Sequence, residues 1–116
     1  MNEFEFFTLI YYSLDAYYGK DVEDANINCV LSDMCPFTFD DIGSADPVMY
    51  EDYIKFIDGR EITIENSLDI AREYVKTIDF ADVTPALEEM TEEKWVKGCK
   101  GYLSKPHKGA EMTKRG

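Results

Sequence analysis

The sequence is poor in the residues that most often do chemistry. Its 116 positions hold one histidine, three cysteines and one tryptophan. His107 follows Pro106 and stands between Lys105 and Lys108. Acid–base catalysis uses histidine more than any other side chain. A lone imidazole in such a segment lacks the locked surroundings that a site requires. No histidine-based triad or metal centre within one chain is expected, and His107 reads as an interaction residue of a tail. Cys29, Cys35 and Cys99 are odd in number and have no zinc-type spacing. That excludes a disulfide framework and points to reduced, intracellular thiols. Cys35 is expected at a helix C-terminus near Asp33, Asp40 and Asp41, a setting that raises a thiol pKa and leaves it unreactive.

Other absences narrow the field further. Neither a GxGxxG run nor Walker spacing occurs, so no phosphate-cradling loop is expected. No apolar run approaches the roughly 18 residues of a membrane span. The opening MNEFEFFTLIYYSLDAYYGK carries Glu3, Glu5 and Asp15, with no basic start and no small-residue cleavage site, unlike a signal peptide. The expectation is a soluble, cytoplasmic protein with no membrane partner, no cofactor and no metal.

Bases are scarce as well: 12 Lys and Arg face 24 Asp and Glu, for a net charge of −12. They are also displaced along the chain. Residues 1–93 hold 23 acids and 5 bases, and residues 94–116 hold 1 acid and 7 bases. An acidic body repels polyanions at long range. Nucleic acid is therefore expected, if anywhere, only at the basic C-terminal helix and tail, where Lys94, Lys97 and Lys100 line up near Trp95 and Tyr102. The plainer reading of that row is the solvated face of a helix.

The sequence does hold a core. Hydrophobic residues make up 45%, with eight Tyr and seven Phe among them. Outside one aperiodic stretch their spacing is mostly helical, and strand-like alternation is slight, over Glu61–Ile64. Phe6, Leu9, Ile10, Leu14 and Tyr17 predict a broad-faced first helix over 3–18, closed by Gly19. A second helix is expected over 22–34, capped by Asp21 and stopped at Pro36. Asp46-Pro47 marks the start of a third over 47–58, with Gly59 ending it. Thr63 caps a fourth over 64–78, and Thr84-Pro85 and Thr91 open two more over 85–90 and 92–103. The fold expected is an all-α, compact single-domain bundle of about five helices over residues 1–103. A flexible basic tail over 104–116 is expected to follow.

Between the second and third helices lies an aperiodic stretch, PFTFDDIG. Phe37, Phe39 and Ile42 are expected to turn inward and plug the core. Asp33, Asp40 and Asp41 are expected to form an acidic rim. A divalent cation is the sharper reading of those carboxylates, and with it a metal-dependent enzyme. The spacing fails the calcium-loop pattern, because no alternating Asp/Asn series follows Asp41. Fifteen Phe and Tyr are also too many for so small a domain to hide, and tyrosine suits interfaces. The candidate interaction surface is thus Asp33, Asp40 and Asp41 with Tyr11, Tyr12, Tyr18 and Tyr50. The function expected is non-enzymatic: an inhibitor-like or immunity-like binder of a basic protein partner, steered by charge. A homodimer would be the other way to cover the aromatic surplus.

Overall fold

The computed structural model describes residues 1–19 and 23–113. The elements are α1 (Glu3–Tyr18), α2 (Ala25–Met34), α3 (Pro47–Ile57), α4 (Ile64–Val75), α5 (Thr84–Glu88) and α6 (Glu92–Leu103), then a 3-10 turn over Ala110–Thr113. The protein is an all-α single-domain bundle. Among the described residues, no helix is long and apolar enough to cross a membrane.

Local chemistry sets most of the boundaries. Asn2 caps α1 reciprocally: its side chain accepts from the Glu5 amide, and the Glu5 carboxylate accepts from the Asn2 amide. Asp24 caps α2 by accepting from the Asn26 and Ile27 amides. The cap expected of Asp21 lies outside the described residues. Asp46 caps α3 with Pro47 in the first turn, as the sequence predicts, and Thr63 caps α4. The last turn of α3 closes one residue early, on Asp58 in the left-handed region at φ 51°. α4 also stops early, at Val75, because Thr77 folds back to bond the Tyr74 carbonyl through both its amide and its hydroxyl.

α1 is the axis. Phe4, Phe6, Phe7, Ile10 and Leu14 are fully buried on it, and α2, α3, α5 and α6 all pack against it. Three polar ties lock the neighbours in register. The Tyr53 hydroxyl donates to the Glu3 carbonyl at 2.5 Å and fixes α3 on the start of α1. Trp95 Nε1 donates to Ser67 Oγ at 2.7 Å inside the core, joining α6 to α4. Arg72 on α4 donates to the Leu87 and Met90 carbonyls and so satisfies the exposed end of α5.

Candidate functional site

The stretch between α2 and α3 forms a loop pinched at its base. The Ala45 amide donates to the Cys35 carbonyl, and the Asp46 amide donates to the Asp33 carbonyl. Ser44 is buried beneath, donating to the Asp46 carbonyl and accepting from the Tyr50 amide. With the neck closed in this way, the middle of the loop stands on the surface. Phe37, Phe39 and Ile42 are 45%, 58% and 38% exposed. The core plug expected of these three is therefore not formed. The space it would have filled is taken by α1 and α3 themselves, where Phe7, Tyr50 and Tyr53 meet edge to face and tilted at 4.7–5.5 Å.

The chain beyond α6 holds the loop from the other side. Residues 104–113, the first part of the expected flexible tail, lie on the body. Lys108 Nζ donates to the Pro36 and Phe39 carbonyls at 2.6 Å each, and stands 5.2 Å from the centre of the Phe4 ring. Next to it, His107 is clasped to α1: Nε2 meets Glu5 Oε2 at 2.5 Å, Nδ1 meets the Lys105 carbonyl at 2.6 Å, and the ring stacks on Tyr102 at 4.3 Å. Glu5 Oε1 also accepts from the Thr113 hydroxyl, and Asn2 Nδ2 donates to the Gly109 carbonyl and to Thr113 Oγ1. Gly109 has φ +87° and backs onto Phe4, where an added Cβ would come within 2.5 Å of the ring. Only glycine fits that approach.

His107 is thus a fixed group, contrary to the tail residue the sequence led us to expect. Both ring nitrogens face acceptors, the arrangement of an imidazolium. Burial opposes that charge; the Glu5 carboxylate and the backbone carbonyls outweigh burial and hold the His107 pKa above its ordinary value. The sequence signal for this clasp is Glu5 itself. It is an acid on the buried face of α1, three residues after an Asn cap, and such a carboxylate needs partners.

Cys35 also differs from expectation. Burial acts to raise its thiol. Hydrogen bonds from the Phe37 amide, the Thr38 hydroxyl and amide and the Tyr11 hydroxyl outweigh it and leave the pKa below the ordinary thiol value. The loop turns its amides toward the sulfur, an effect that outweighs the helix end and acidic neighbours invoked from sequence. Cys99, fully buried on α6, is pushed up to about 11, chiefly by desolvation. Thiol labelling at neutral pH should therefore modify Cys35 at least roughly tenfold faster than Cys99. Peptide mapping after a short pulse of maleimide reads the ratio, and equal labelling would contradict the loop geometry.

The predicted surface residues do not form one patch. Tyr11 and Tyr12 stand together beside Phe37, with ring centres 5.7–6.2 Å apart. Tyr50 forms a half-buried floor between Phe4, Phe7 and Tyr53. Tyr18 lies at the far end of α1, with its ring against Tyr17 and its hydroxyl near the Asp82 carbonyl. Asp40 and Asp41 are exposed on the loop and Asp33 is half-buried at its neck. None of the three forms an ion pair among the described residues. No group of three or more His, Cys, Asp or Glu among the described residues could hold a metal ion, so the Asp33/Asp40/Asp41 cluster is not drawn together as a cation site.

Concave surface is modest. One depression, about 720 Å³, opens between the N-terminal turn and residues 60–65. A second of about 280 Å³ lies under the loop, between Phe39 and Ile42 on one side and Pro47, Tyr50 and Glu51 on the other. No protein-family model, curated protein or solved structure matches the chain. Fold and surface define its class, an acidic all-α domain, and the reading of its role rests on that surface.

Proposed function

We propose that this chain is a non-enzymatic protein-binding module, inhibitor-like or immunity-like in character, whose partner is a basic protein. One observation carries the reading: a loop fixed at both its neck and its flank exposes Phe37, Phe39 and Ile42 beside carboxylates with no ion pair among the described residues. Apolar side chains held out on a rigid support are costly unless something covers them. A pre-ordered loop loses little entropy when it is covered. Tyr12 and Tyr11 extend the apolar surface onto α1, and the net charge of −12 steers a cationic partner toward it. The Lys108 ammonium is occupied with the loop carbonyls, which weakens the case for nucleic acid at the tail.

Affinity capture from the source cell tests this with two baits, the wild type and a Phe37→Ala/Phe39→Ala/Ile42→Ala triple variant. The wild type should retain a cationic protein at low salt, and the triple variant should bind it roughly a hundredfold more weakly while folding normally. The association rate of the purified pair should fall steeply as salt rises. Equal retention by both baits, or a rate indifferent to salt, would count against the reading.

A further inference from the structure

We infer that the cleft under the loop is a subsite for one arginine side chain of a protein partner. The inference rests on the partner being basic, and it assigns where one of that partner's charges goes. At about 280 Å³ the cleft has room for a single long side chain. It is lined by Phe39, Ile42, Pro47 and Tyr50, with buried Ser44 among them. Two exposed acidic residues, Asp41 on the loop and Glu51 on α3, also line it. Neither forms an ion pair among the described residues.

That combination matches an amphipathic cation. An aliphatic stem lies along apolar walls while its charged head stays at the rim. Two aromatic rings favour a planar guanidinium over an ammonium, because guanidinium both stacks and forms paired hydrogen bonds to carboxylate. The lining is fixed. Ser44 is bonded on both sides, and the Tyr50 ring is braced by Phe4, Phe7 and Tyr53. Burial and the nearby Glu3 carboxylate push the Tyr50 phenol up to about 12, so it stays neutral and adds no competing charge change near neutral pH. The lining residues stand on the pinched loop and on the first turn of α3, so the site is formed before anything enters it.

The test is an amide-shift titration of the whole chain with acetyl-arginine amide and with triarginine, against the citrulline and lysine counterparts. Arginine should shift amides of residues 39–44 and 48–51. Citrulline should bind roughly tenfold more weakly, and lysine should fall between them. The Asp41→Asn/Glu51→Gln variant should lose the response. A charge-matched control, Glu65→Gln/Glu88→Gln, should keep it. Shifts scattered over the acidic surface and equal in both variants would overturn the subsite and leave the broader reading standing. So would an unresponsive cleft in a protein that still captures a cationic partner in a salt-dependent way. An unresponsive cleft with no cationic partner would overturn both.

Discussion

Replacing Tyr53 by alanine should lower the unfolding free energy by about 3–5 kcal/mol. The ring is fully buried where α1 and α3 cross, in contact with Phe6, Phe7, Tyr50 and Tyr74. Truncation removes the ring from four aromatic neighbours and leaves a cavity that rigid helices cannot close. It also removes the hydroxyl that satisfies the Glu3 carbonyl. Domains of this size have only about 5–15 kcal/mol to lose, so Tyr53→Ala is expected to sit near the edge of folding. Tyr53→Phe separates the two contributions. It keeps the packing and should cost about 1 kcal/mol, the worth of one buried hydrogen bond. Urea unfolding of the three proteins decides it. A loss below about 1 kcal/mol for the alanine variant would mean that α3 is not docked on α1 as described.

The second large effect is electrostatic. Wild type should exceed His107→Gln in stability by about 2 kcal/mol near pH 6, the scale of hydrogen bonds to charged groups. The groups that face the imidazole are the Glu5 carboxylate from α1, the Tyr102 ring and backbone from α6 and the Lys105 carbonyl of its own segment. The folded-state pKa is raised, so the folded protein holds this proton more tightly than the unfolded chain, whose histidine titrates near 6.5. The advantage is thus complete below about pH 6.5 and fades as the pH climbs through the raised value. Unfolding measured from about pH 5.5 to about 9 for both proteins should give curves that converge at the alkaline end. A gap that widens with pH would reverse the assignment of the charged form. Amide exchange in residues 104–113 should rise in the variant ahead of the core, because Gly109, Lys108 and Thr113 dock beside the same clasp.

Helices were the readable part of this sequence, because most carry their signals within a few residues. The exceptions are Thr84, which lies inside α5 while Val83 precedes it without a side-chain cap, and the second helix, which begins at Ala25, three residues later than expected. Asp46-Pro47, Thr63 and Thr91 cap where their chemistry says they should. The expected span of α1 matches the observed one, since an uninterrupted apolar face and Gly19 leave no other solution. The central loop was misread because its fate is set by two backbone bonds at its neck, Ala45 to Cys35 and Asp46 to Asp33. Nothing in the identities of Phe37, Phe39 and Ile42 says that the space inside is already full. The apolar cleft was hidden for the same reason, because its lining comes from both sides of a turn. The shift at Cys35 depends on which way the Phe37 and Thr38 amides point. The clasp between Glu5 and His107 spans 102 positions and has no local pattern at all beyond an acid on an apolar face.

That span also bears on the order in which the molecule assembles. Helices and neighbouring helix pairs close short loops and form early, whereas a contact joining the two ends must wait for the entropy of nearly the whole chain to be surrendered. The Glu5–His107 clasp, and with it the grip of Lys108 on the loop, should be a late event in folding. Mutations there should mainly speed unfolding and leave the folding rate nearly unchanged. The loop would then be locked in place last, after the helical core that supports it.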